Sequence, residues 1–137
     1  MSTSRLDVLS REECLALLRL AKIGRVGLTV RAIPEILPVH FCLIDDAIVF
    51  RAANDTSLHT ASQRAILAFE ADEFDVDDRQ GWSVLVVGPS SELIQAEQIE
   101  TARRELADDW VTGDHDRVLR ITPQRVSGRR LTAVMPG

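Results

Sequence analysis

The residue types best suited to chemistry gather in the segment Ile48-Val-Phe-Arg-Ala-Ala-Asn-Asp-Thr-Ser-Leu58. An apolar run ends at Arg51, and the small residues Ala52 and Ala53 let a ligand approach the backbone. Asn54 and Asp55 are N-cap residue types, which places Thr56 and Ser57 in the first turn of a short helix. A guanidinium, two hydroxyls and free backbone N–H groups then converge, the combination that holds a phosphate. Asp55 points the other way, because its own carboxylate can satisfy the same N–H groups. On residues alone, the segment is either an anion cradle or a plain capped connection.

Other reactive side chains are scattered. His40, His59 and His115 lie far apart, and neither Cys14 nor Cys42 stands at a zinc-ligand spacing, so no metal centre is expected. Both cysteines fall inside apolar-periodic segments and read as buried free thiols. His40 either meets a ligand or is a satisfied polar group at a strand edge. The acidic run Glu70, Asp72, Glu73, Asp75, Asp77 and Asp78 lacks the glycine and terminal glutamate of a calcium loop. It reads as a solvated strand end, with Glu70 and Asp72 on the wet face and Phe69 and Ala71 on the dry one. His115 reads as a turn residue. No nucleophile elbow, Walker loop or dinucleotide fingerprint is present, so neither hydrolysis nor nucleotide-driven work is expected.

The elements that must position these residues follow from periodicity. Ser10-Arg-Glu-Glu13 is a capping box, with Leu9 and Cys14 at the staple positions. Apolar residues at Cys14, Leu17, Leu18 and Ala21 predict an amphipathic helix over 11–21, with Gly24 suited to its end. The period then changes. Val26–Val30, Ile36–Ile44, Ala47–Arg51, Ala65–Asp75 and Trp82–Ile94 read as strands, and Arg117–Leu131 supplies one or two more. Asp45-Asp46 is a hairpin turn, though a poorer one than Asn-Gly. A second helix is expected over about 96–107, with Ile99, Ala102 and Leu106 on one face. Strands joined by short connections favour an antiparallel sheet, and closing it into a barrel removes its edges.

Bulk properties agree with one ordinary globular domain over residues 1–137: 45% of residues are hydrophobic and 27% charged. A net charge of −5 disfavours nucleic acid and anionic membrane. No apolar stretch approaches the ~20 residues that span a bilayer, and the N-terminus lacks a signal-peptide core, so a cytoplasmic location is expected.

Taken in order, several pieces are similar to the small actinobacterial branch of the pyridoxamine 5′-phosphate oxidase-like family. They are Leu37-Pro-Val-His-Phe, Ile48-Val-Phe-Arg with the hydroxyl-bearing helix start, and Ala68-Phe-Glu-Ala-Asp. Gly81-Trp-Ser-Val-Leu-Val-Val-Gly, Gly113-Asp-His-Asp-Arg-Val-Leu-Arg-Ile and Val126-Ser-Gly-Arg-Arg complete the series over about residues 9–131. The resemblance implies a mainly β fold, a six-stranded antiparallel split β-barrel of Greek-key type. It implies a homodimer with FMN between subunits, the phosphate held by Arg51, Thr56 and Ser57. Pro38, Val39 and His40, with Phe50 to Ala53, would face the flavin ring, and Trp110 would either lie against it from the partner chain or cover the barrel mouth. The implied activity is hydride transfer to a small electron-poor substrate.

Two departures bear on that expectation. Family members commonly carry a Ser-Lys pair where Thr56 and Ser57 stand, and many carry a basic residue at the position of Val87. Losing such a cationic partner weakens phosphate binding roughly tenfold to a hundredfold per contact, at ~1.5–3 kcal/mol each. A non-catalytic module binding the deazaflavin coenzyme or haem, or a cofactor-free dimeric barrel, is therefore kept as an alternative. The chain also lacks the longer C-terminal segment of the vitamin B6 oxidases, so pyridoxamine 5′-phosphate is not the expected substrate.

Overall fold

The computed structural model describes residues 3–52, 64–107 and 117–134. Helix α1 (Arg11–Leu20) begins as its capping box requires: the Glu13 N–H donates to Ser10 Oγ and the Ser10 N–H donates to Glu13 Oε1, both at 3.1 Å. Leu9 and Cys14 are buried, which sets the angle at which the chain enters the helix. The helix ends at Ala21, as the periodicity over 11–21 predicts, and Gly24 takes no part in that end. Gly24 lies within strand β2 (Ile23–Val30), where a Cβ would stand 2.3 Å from the ring of Phe69. The glycine is there for packing, not capping.

The remaining strands are β1 (Thr3–Val8), β3 (Ile33–Ile44), β4 (Ala47–Ala52), β5 (Ile66–Asp75), β6 (Gln80–Glu92), β7 (Arg117–Ile121) and β8 (Arg125–Val134). A second described helix, α2 (Ala96–Glu105), precedes β7. Six strands close a ring in the order β6-β5-β2-β3-β4-β7, and β7 returns to pair with β6. β8 and β1 extend the sheet from β6. The closed antiparallel barrel is the expected one. β1 is an addition: its alternation, Arg5-Leu6-Asp7-Val8, covers only four residues, and its apolar side chains Leu6 and Val8 are exposed.

Two strands turn corners and so split the barrel. β3 pairs with β2 through residues Ile33 to His40, then with β4 from Phe41 to Ile44. On one edge, β6 pairs with β8 from Gly81 to Val87, then with β7 from Ser90 to Glu92. Between the two ladders of β6 sits Gly88, where a Cβ would lie 1.8 Å from the Thr122 carbonyl oxygen. Only glycine lets the two chains approach this closely.

The main core fills the barrel beneath α1, with the Phe41 and Phe69 rings edge to face at 4.7 Å. A smaller core of Val49, Leu93, Ala102 and Val118 joins α2 to the outer face of β4 and β7. Asp45 and Asp46 form the β3–β4 turn with φ of 50° and 63°. Asp46 pairs with Arg19 of α1, and Gln98 of α2 donates to Asp45 at 3.4 Å. Both aspartates thus tie a helix to the hairpin, which accounts for Asp-Asp where Asn-Gly would turn more easily.

Candidate functional site

The β3–β4 ladder stops at the pair Phe41–Phe50. Beyond it the strands part: Arg51 and Ala52 pair with Val118 and Arg117 of β7, while Pro38, Val39 and His40 pair only with β2. This opening is where the expected ring-binding residues meet the expected phosphate arginine.

Their side chains divide into two groups. Val39, Phe50 and Ala52 point into the core, with exposures of 4%, 0% and 1%. Val39 and Ala52 can offer a ligand only their backbone, and Phe50, paired with Phe41 on one edge and Leu119 on the other, belongs to the barrel wall. Pro38 is exposed, and His40 and Arg51 are half-buried at the opening. Expected contacts from Ala53, Thr56, Ser57 and Trp110 fall outside the described residues, as do the Asn54/Asp55 cap, His59 and His115.

His40 also borders a cleft of about 260 Å³ between the last turn of α1, β3 and the end of α2. Arg19, Lys22, Cys42 and Glu105 share that cleft. Lys22, the chain's single lysine, is the group that sequence reasoning missed; its carbonyl accepts from the Phe41 N–H at 3.0 Å, fixing it beside His40. Only the rarity of lysine in the sequence could have flagged it. Burial, and then the charge of Glu105, push the Cys42 thiol up to about 11, which disfavours its thiolate. Cys14 is likewise raised by burial, and both thiols are free. Among the described residues, no group of three or more histidine, cysteine or acidic side chains is placed to hold a metal.

The outer face of the sheet carries the remaining charges. Arg25 Nη1 lies 3.1 Å from Glu70 Oε1 and 3.6 Å from Asp72 Oδ2. Phe69 and Ala71 point inward and Glu70 and Asp72 outward, as the alternation predicts. Val87 faces the same way, and its cross-strand neighbour on β8 is Arg125. A guanidinium therefore stands one strand away from the position where a cation was missed.

Comparison with known proteins places this geometry. An uncharacterised protein of Mycobacterium tuberculosis is 34% identical over 130 residues, which span 91% of this chain and 85% of that one. Among solved structures, the FAD binding protein of Mycobacterium smegmatis superposes with a TM-score of 0.75 at 33% identity, covering 90% of this chain and 96% of that one. A FAD-binding protein of Mesorhizobium loti reaches a TM-score of 0.83 at 22% identity over 95% and 99% of the two chains, a likeness of fold. The sequence profile of the family described as pyridoxamine 5′-phosphate oxidase matches residues 10–130. With its closed six-stranded barrel and that match, the chain belongs to the pyridoxamine 5′-phosphate oxidase-like split-barrel family.

Proposed function

We propose that this protein binds a flavin nucleotide at the opening between β3 and β4, and that it does so as a homodimer. The observation that carries the reading is the parting of the two strands after Phe41 and Phe50. It leaves one edge of β3 at Pro38–His40 without a β4 partner, and sets the half-buried Arg51 beside it. Backbone groups along such an edge suit the polar rim of a flat heterocycle, and a guanidinium at the strand end suits a phosphate. The 33%-identical relative is a FAD binding protein, which supports the same class of ligand.

A bound flavin supplies hydride transfer, here to a small electron-poor acceptor; the chain's own residues bind, orient and exclude. Backbone of Val39, whose far edge has no strand partner among the described residues, would set the plane of the ring. Arg51 would anchor the phosphate, and His40 would hydrogen-bond the ring or an acceptor lying over it. A second copy would cover exposed apolar side chains on the barrel's outer face, Ile23, Ile36, Ile66 and Leu85, which a monomer leaves in water.

Parallel titrations with FMN and FAD, read by quenching of flavin fluorescence, test the assignment. Arg51→Ala should weaken the bound flavin tenfold or more, by roughly 1.5–3 kcal/mol. An unchanged affinity in that variant would remove Arg51 from the phosphate site.

A further inference from the structure

Strand β1 is an edge of the sheet. It stands at one end of the strand order and pairs with β8, and among the described residues nothing pairs with its other side. Hydrogen bonding fixes the direction of its backbone groups. The Leu9 N–H donates to the Gly128 carbonyl at 2.9 Å, which continues the β1–β8 register by one residue. Backbone groups alternate in direction along a strand, so Asp7 and Arg5 also turn theirs to β8. Ser4, Leu6 and Val8 turn theirs to the free edge, where Leu6 and Val8 are 56% and 85% exposed.

An open edge is a template for another strand unless its side chains forbid the pairing. Those of β1 select one antiparallel pairing with a copy of itself. With a two-fold axis at Leu6, Leu6 lies opposite Leu6 and Ser4 opposite Val8, so the free N–H and C=O groups of all three residues meet partners. Arg5 then faces Asp7 of the second copy, and Asp7 faces its Arg5. A slip of two residues one way sets Arg5 against Arg5, and the other way Asp7 against Asp7; like charges directly opposed destabilise a ladder. A slip of one residue mismatches the free backbone groups. Within one chain Arg5 Nε lies 3.0 Å from Asp7 Oδ2, so both charges stand on the same face of the strand. Behind them on β8, Arg130 neighbours Asp7 and Thr132 neighbours Arg5. In the paired row each Asp7 sits between two guanidiniums, Arg130 of its own chain and Arg5 of the second.

From this self-complementarity we infer that β1 is an interface for a second copy of the chain, paired antiparallel about a two-fold axis at Leu6. The contact joins two sheets edge to edge, and the reciprocal Arg5–Asp7 pairs fix its register. It uses a different surface from the outer-face side chains Ile23, Ile36, Ile66 and Leu85 and does not depend on flavin. Two six-residue edges make a small contact, so the association is weak and reversible. Where the outer-face dimer also forms, the β1 contact joins dimers into tetramers.

The test is sedimentation of the full chain over a dilution series at low ionic strength. A reversible step is expected, from monomer to dimer, or from dimer to tetramer where the outer-face dimer is present. Arg5→Asp and Asp7→Arg should each weaken that step roughly tenfold or more, because each turns both reciprocal pairs repulsive. Mixing the two variants in equal amounts should restore it, and so should the double variant Arg5→Asp/Asp7→Arg. Both single variants keep a net negative charge, so bulk attraction does not account for recovery. Recovery on mixing also shows that β1 is folded in each. A parent chain with no concentration-dependent step would overturn the proposal, as would a loss that mixing does not reverse. A dimer that neither variant disturbs would overturn it too, while leaving the outer-face dimer standing.

Discussion

At the scale of single residues, the fold perturbs the ionisation of Glu70. Burial raises its carboxyl from 4.5 to about 7; Asp72 adds to the rise and Arg25 opposes it. With the folded value above the unfolded one, the native protein keeps a proton that the unfolded chain releases between pH 4.5 and about 7. The contribution of Glu70 to stability therefore falls as pH rises through that window. Thermal unfolding followed across it should show Glu70→Gln with a flatter pH dependence than the parent and a higher midpoint at the alkaline end. Parallel curves would mean that Asp72 or another group carries the titration. Glu70 was legible as the wet face of a strand, because period-two alternation is local. Its shared guanidinium was not, since Arg25 arrives from a strand 45 residues away in sequence.

At the scale of elements, local chemistry can be read and strain can be relieved. Removing the α1 cap with Ser10→Ala should cost ~1 kcal/mol, seen as a lower denaturant midpoint at unchanged slope. The β2–β3 turn holds Ala32 at φ 65°, a left-handed conformation that disfavours a Cβ. Ala32→Gly should stabilise the protein by roughly 0.5–1 kcal/mol, net of the glycine's entropy in the unfolded chain. Gly88→Ala should do the reverse, by ~2 kcal/mol or more, because the new methyl meets a backbone carbonyl that cannot move aside. The capping box, the Asp45-Asp46 hairpin and the strand alternation were visible in sequence because each depends on neighbours a few residues apart. The corner at Gly88 was not, since its partner Thr122 lies on another strand connection. The role of Gly24 was misread for the same reason: it is required by Phe69, not by the helix.

At the scale of the whole molecule, the sheet closes because β3 and β6 each change partners partway along their length. The split created at β3 is also the proposed ligand opening, so architecture and proposed function share one cause. Sequence alone carried the six-stranded ring through the ordered family resemblance, whereas β1 needed the pairing of Thr3–Val8 with β8 to be seen. Of the residues expected at the site, the structure places Pro38, His40 and Arg51 where β3 and β4 part. The inward turn of Val39 and Ala52 leaves them only backbone to offer, and Phe50 is paired on both edges, distinctions that residue type cannot make.

The most direct test of flavin binding is the absorbance spectrum of the purified protein, recorded before and after adding excess FMN or FAD and removing free ligand. Flavin bands retained at about one per subunit are the predicted result. A colourless protein that releases both nucleotides completely would contradict the account, leaving a split barrel whose β3–β4 opening serves some other ligand.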